Sequence, residues 1–246
     1  MAMAEAAAGG RPLARDELWR GVRTGLPFVL VVGPFGLLFG VAATEAGLPV
    51  AQVMGFSVLV IAGASQFAAL GLIQDGANAA VILATALAVN LRMAMYSASL
   101  TPHLGGARLW QRALVAYLMV DQTYAAAISR YEAAPRLPLP AKLAFYAGAV
   151  APVAPGWYAA TLAGALAGRA IPPAIPLDFA VPITFIALIA PMLRTAPQAL
   201  AAGVSVAAAL ALAGLPYGTG LLLAALAAMI AGAGLEAWLA RRGGTR

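Results

Sequence analysis

Residues 77–100 read ANAAVILATALAVNLRMAMYSASL, twenty-four residues that carry one charge, at Arg92. A helix needs about 20 mostly apolar residues to cross the hydrocarbon core of a bilayer. This stretch is long enough, and its arginine lies well inside it. Arginine cannot shed its charge, and the block is too long on either side for snorkelling to rescue it. Arg92 therefore needs a carboxylate, from the protein or from a substrate. Outward from it, seven further blocks qualify as spans: 25–46, 51–73, 110–130, 142–168, 178–194, 197–215 and 217–239. Turn residues separate them, as at Gly47-Leu48-Pro49, Gln74-Asp75-Gly76, Thr101-Pro102-His103 and Leu215-Pro216-Tyr217. Residues 133–142 hold three prolines and two cations and form the clearest loop. The expectation is an all-α, polytopic membrane protein of about eight transmembrane helices. The count falls to seven if the short sixth block, with Pro191 near its end, does not cross.

Composition agrees. The 246 residues are 63% hydrophobic and 10% charged, where a soluble domain carries about 25% charge. The net charge of +6 is scattered between apolar blocks, so it reads as loop charge that orients a membrane protein rather than a nucleic-acid surface. There is no cysteine and one histidine, His103, which excludes disulfides, thiolate metal sites, Cys nucleophiles and a His metal cluster. No cofactor is implied. An intramembrane serine hydrolase lacks its Gly-x-Ser-x-Gly motif. His103 reads as an interfacial residue.

Residues 1–20 are expected to form a cytoplasmic tail, 21–240 the transmembrane domain and 241–246 a second cytoplasmic tail. The first tail ends in a short amphipathic segment (Leu13, Leu18 and Trp19 against Arg15, Arg20 and Arg23), read as lying on the membrane surface; the other reading is a disordered tail. With both ends inside, the inner segments collect Arg11, Arg15, Arg20, Arg23, Arg130, Arg136, Lys142, Arg194, Arg241, Arg242 and Arg246, as the positive-inside rule requires. The exceptions are Arg108 and Arg112, which this scheme places outside. An offset of 124 residues sets Gly40 on Gly164 and Pro49 on Pro173, the pattern of a two-fold internal repeat. Pro27, Gly33, Pro34 and Gly36 in the first span, and Pro152, Pro155 and Gly156 in the fifth, predict broken helices there, and a break at Gly33-Pro34-Phe35-Gly36 predicts part of a binding site. The other reading makes Gly36-x-x-x-Gly40 and Gly164-x-x-x-Gly168 close-packing faces.

Polar groups inside spans mark function by default. Gln66, next to Gly63-Ala64-Ser65, offers substrate contact or interhelical hydrogen bonds. Asn90, Arg92 and Tyr96 follow in the third span, with Arg92 and Tyr96 on one face and Asn90 and Ser97 on another. Tyr117, Asp121 and Tyr124 share a stripe of the fourth. Asp121 can pair with Arg92, hold a substrate ammonium or carry a proton. Arg169 and Asp178 read as solvated loop residues. Together these groups could hold a zwitterion: Arg92 takes the carboxylate, Asp121 the ammonium, and Phe67 and the methionines line an apolar pocket.

In this order the clusters resemble the AzlC family of branched-chain amino-acid permeases. The resemblance rests on Gly25-Leu26-Pro27, Pro34-Phe35-Gly36…Phe39-Gly40, Ala62-Gly63-Ala64-Ser65-Gln66-Phe67, Asn90-Leu91-Arg92…Tyr96-Ser97 and Asp121 with Tyr124-Ala125. It continues through Gly156-Trp157…Gly164…Gly168 and Leu177-Asp178-Phe179-Ala180…Phe185-Ile186-Ala187-Leu188. It implies export of leucine, isoleucine, valine and in some members methionine across a bacterial inner membrane, with a small hydrophobic AzlD-type partner subunit. Two departures stand out. Met93 occupies the place of a family histidine, and Gln122 follows Asp121 where a glutamate is common. The alternatives are a transporter of another small organic anion or zwitterion, or a membrane subunit that scaffolds a partner without transporting.

Overall fold

The computed structural model describes residues 2–168, 193–215 and 219–243. The sixth apolar block up to residue 192, with Arg169, Asp178 and the Pro173 end of the offset pairing, lies outside them. Every regular element among the described residues is helical. The chain is thus an all-α protein, and four helical stretches are long and apolar enough to cross a membrane. Leu30 and Leu109 are 80% and 78% exposed, which suits faces turned to hydrocarbon rather than water. Contacts divide the chain into two compact units, residues 1–67 with 86–172, and residues 68–85 with 173–246.

The frame of the first unit is a pair of long helices. Helix α1 (Ala2–Gly25) continues through a 3-10 turn at Leu26–Phe28 into α2 (Val29–Glu45). Helix α9 (Leu139–Gly168) has 30 residues, about 45 Å at 1.5 Å per residue. The two lie side by side and parallel. Gly21 sits on Phe145, Gly25 on Ala149, Gly36 on Ala160, Gly40 on Gly164 and Thr44 on Gly168. Each of these pairs is 124 residues apart, the offset read from the sequence, so that register now has a physical meaning between α2 and α9. Small residues at this seam let the backbones touch: a Cβ on Gly40 would meet the Thr161 carbonyl, and one on Gly164 the Leu37 carbonyl.

This geometry corrects the expected breaks. Helix α2 runs unbroken through Gly33-Pro34-Phe35-Gly36, and α9 runs unbroken through Pro152, Pro155 and Gly156. A proline removes one donor, but in lipid each further open backbone group costs several kcal/mol, so the helix keeps its remaining bonds. Gly36, Gly40, Gly164 and Gly168 serve packing, as the second reading had it, while nothing lies within 4 Å of a Cβ at Gly33.

The breaks fall elsewhere. The second block divides into α3 (Val50–Leu59) and α4 (Gly63–Gln74), the third into α5 (Ala79–Val89) and α6 (Leu91–Leu104), and the fourth into α7 (Leu109–Tyr117) and α8 (Asp121–Ala133). Gly47, at φ +87°, closes α2 in a left-handed conformation that suits glycine, and α3 returns along α2, with Phe56 on Phe39. Gly63 then packs on Phe35, and Phe67 contacts Phe35 and Phe39, so the first turn of α4 heads back the way α3 came.

The fourth block is a hairpin rather than a crossing. Gly106 lies against Leu139 at the start of α9. Helix α7 climbs along α9, with Tyr146 donating to the Val115 carbonyl and Tyr117 beside Tyr158. Helix α8 descends to the same end, where Tyr131 donates to the Lys142 carbonyl. Helix α6 runs parallel to α8: Arg92 meets Asp121, Tyr96 stacks on Tyr124, and His103 approaches Tyr131 and Lys142. The scheme of eight crossings is corrected accordingly. Within the first unit, Arg108 and Arg112 lie at the same end of α9 as Arg130 and Lys142, so there they no longer stand apart from the neighbouring loop cations.

A further correction concerns the N-terminal segment. Helix α1 packs on α9 from Leu18 onward, with Leu18 on Gly148, instead of lying along the membrane surface. Glu17 is 2% exposed and accepts two hydrogen bonds from Arg130 on α8, at 2.9 and 2.5 Å. Glu17→Ala leaves Arg130 without its partner in a largely buried place. The expected cost is about 3 kcal/mol, read as a lowered melting temperature in detergent. Restoration by Glu17→Asp, but not by Glu17→Gln, would identify charge as the cause.

In the second unit, α10 (Ala196–Ala211) starts with a capping box: Thr195 Oγ1 accepts from the Gln198 N–H, and Gln198 Oε1 accepts from the Thr195 N–H. It pairs antiparallel with α11 (Thr219–Gly243), Gly232 lying on Ala201 and Gly220 on Leu212.

Candidate functional site

A helix that stops inside hydrocarbon must find partners for its loose carbonyls and amides. In the first unit, side chains at the breaks supply them. Tyr117 donates to the Val58 carbonyl at 2.6 Å near the end of α3, and Ser65 donates to the Ala62 carbonyl at 2.9 Å before α4. Thr123 Oγ1 accepts from the Val120 N–H at 3.0 Å before α8. These bonds let three helix starts, at Gly63, Leu91 and Asp121, come together. Each start presents free N–H groups and the positive end of a helix dipole. The broken-helix ends expected at Gly33–Gly36 are thus found instead at α4, α6 and α8.

All five predicted substrate residues gather at these starts. Asn90 Nδ2 donates to Ser65 Oγ at 3.1 Å. Gln66 Nε2 donates to Ser57 Oγ at 3.2 Å, and Ser57 donates to Thr161 Oγ1 at 3.4 Å. Gln66, Ser57 and Thr161 are fully buried, so this chain of bonds ties α4 to α3 and α9. Arg92 pairs with Asp121 at 2.9 Å, their side chains 31% and 41% exposed. The ion pair is therefore open on one side. Tyr96 neighbours both charges and stacks on Tyr124 at 4.0 Å.

Several polar atoms of the cluster are left over. Gln66 Oε1, Asn90 Oδ1, Asp121 Oδ1, Arg92 Nε and Trp157 Nε1 are buried and have no hydrogen-bond partner among the described residues. A buried polar atom without a partner costs about 1–3 kcal/mol, and such groups are rarely scattered by accident through one site. Three are acceptors and two are donors. Beside them stand Phe35, Phe39, Phe67 and Trp157, with ring centroids 5.1 to 6.5 Å apart. Phe67 joins this apolar wall as expected. Met93 and Met95 do not: Met93 packs into the α6–α8–α9 core, and Met95 is 67% exposed.

Sequence reasoning missed Ser57 and Thr161, single hydroxyls in otherwise apolar stretches. It noticed Tyr117 and quoted Trp157 but gave neither a role in the site. His103, read as interfacial, sits at the end of α6 with Nδ1 3.4 Å from Lys142 Nζ.

The profile of the AzlC protein family matches residues 27–171. The chain belongs to the AzlC family. The matched range takes in the whole cluster, from Phe35 to Thr161, and ends before α10 and α11. Among curated proteins, this AzlC member is similar to the inner membrane protein YgaZ of Escherichia coli (strain K12), at 30% identity over 116 residues. The alignment spans 45% of this chain and 45% of that relative, under half of either. No solved structure matches the chain. Family and helix content together make it a membrane protein.

Proposed function

We propose that this AzlC member is a secondary transporter that exports the branched-chain amino acids leucine, isoleucine and valine, and methionine beside them, across the bacterial inner membrane, with a small hydrophobic AzlD-type subunit as partner. One observation carries the reading: an open Arg92–Asp121 pair and the helix starts beside it hold buried donors and acceptors that have no partner among the described residues, and Phe35 and Phe67 wall the start of α4. A zwitterion is itself an ion pair. It can part Arg92 from Asp121 and give each the complement it loses, its carboxylate to Arg92 and its ammonium to Asp121. Trp157 Nε1 and Arg92 Nε add donors for the carboxylate. Gln66 and Asn90 add carbonyl acceptors for the ammonium. The three converging helix starts favour the carboxylate further, and Phe35, Phe39 and Phe67 take the aliphatic side chain.

Asp121 is also the candidate for proton coupling. Protonated, it releases Arg92 and loses its hold on the ammonium, so proton uptake and substrate release go together. With Met93 in the place of a family histidine and Gln122 after it, Asp121 carries this task alone in the site.

The test is efflux of labelled leucine from vesicles carrying the chain with and without the small subunit. Efflux equal to that of empty vesicles in both cases sinks the reading. Within it, Gln66→Leu removes one acceptor for a charged group and raises the KM for leucine by about tenfold. An unchanged KM removes Gln66 from the site.

A further inference from the structure

A cavity of about 160 Å³ lies between α6 and α7, in the half of the first unit that holds the loop cations. Leu100, Leu104, Val115 and Met119 form its apolar side, with Ser97 and Arg112 among its polar lining. Leu100, Leu104 and Met119 are buried, at 3 to 5% exposure. The volume is close to the roughly 150 Å³ void that admits a six-carbon ring. Arg112 is exposed, and its side chain forms no ion pair or hydrogen bond among the described residues. No acidic residue lines the cavity. Its place along the chain matters too. Ser97 follows Arg92 by five residues on α6, and Met119 precedes Asp121 by two, so the cavity begins where the ion pair ends.

We propose that this cavity is a loading site for small aliphatic carboxylates at the cytoplasmic end of the transport path. Arg112 holds the carboxylate, and Leu100, Leu104, Val115 and Met119 take a branched hydrocarbon of five or six carbons. The site needs no ammonium on its ligand, because it offers no carboxylate to receive one. It differs in this from the Arg92–Asp121 site, which requires both charges. The proposal rests on the transport reading, since the molecule loaded here is the one passed on to Arg92.

The test uses 4-methylpentanoate, the carboxylate with leucine's carbon skeleton and no ammonium, and isopentylamine, the amine without a carboxylate. Each is titrated against the full chain, with its small subunit, in lipid nanodiscs. The carboxylate is expected to bind and the amine not to. Arg112→Gln weakens 4-methylpentanoate binding about tenfold, the worth of one hydrogen-bonded charge, and Arg112→Lys keeps most of it. In inverted vesicles, which expose the cytoplasmic face, Arg112→Gln raises the KM for leucine about as much. In right-side-out vesicles the KM stays where it was. Equal 4-methylpentanoate binding by wild type and Arg112→Gln overturns the site. So does displacement of the probe by cardiolipin but not by leucine, which would make the cavity a lipid site. If the wild type moves no leucine, the transport reading fails while the Arg112→Gln titration still decides the cavity.

Discussion

Arg92→Ala is expected to lower leucine efflux at least a hundredfold, because it removes the proposed ligand of the substrate carboxylate and leaves Asp121 with no cation to answer it. Removing one partner of a buried pair costs about 3–5 kcal/mol, much of it from the charge left behind. The pair here is open on one side, 31% and 41% exposed, so the lower end of that range applies to stability. Lost transport therefore has to be separated from lost fold. Arg92→Leu with Asp121→Leu does so, since replacing both charges by hydrocarbon is often neutral or stabilising. The double variant should elute as a folded protein, melt no lower than wild type and move no leucine. If it transports at the wild-type rate, the pair is structural and the substrate lies elsewhere. Asp121→Asn alone adds a third reading: it keeps the shape but removes the charge, so efflux loses its response to an imposed pH gradient along with its affinity for the ammonium.

Gly164→Val should prevent α2 and α9 from meeting at all. The added Cβ would fall on the Leu37 carbonyl, which is backbone and cannot swing aside. The helices would have to part where Gly40, Thr44 and Gly168 also depend on close approach. Size-exclusion chromatography in mild detergent should show aggregate or no protein. Gly33→Ala is the control. Nothing lies within 4 Å of a Cβ at Gly33, and alanine favours a helix interior by roughly 0.5–1 kcal/mol over glycine. That variant should keep its fold and its transport. Damage at Gly33 would revive the broken first helix that the sequence suggested.

What the sequence disclosed follows from what hydrocarbon demands. Seven of the eight blocks appear as helices or helix pairs among the described residues, because only long apolar runs can live in lipid. Gln66, Asn90, Arg92, Tyr96 and Asp121 were legible for the converse reason, as groups too costly to bury without purpose. The breaks were misplaced because Pro34, Pro152 and Pro155 were given the weight they carry in water. The helices in fact stop at Val60–Ala62, at Asn90 and at Leu118–Val120, none of which holds a proline or glycine. Their signal was subtler: a Tyr or Thr placed to replace a missing backbone bond. Tyr117 and Thr123 do this, and a single hydroxyl in an apolar stretch rarely announces such a task. Arg108 and Arg112 were legible as misfits, and the misfit was the trace of a hairpin mistaken for a crossing.

The bond from Tyr117 to Val58 joins the tips of two bent segments that reach inward from opposite ends of α9. Such a join is a single hydrogen bond, so a displacement of either tip acts on the other. A molecule that draws the α7–α8 tip aside weakens the seat of the α3–α4 tip by the same free energy that a molecule on the far side would return. Loading on one face and unloading on the other would then be a single negotiated event, carried by one hydroxyl.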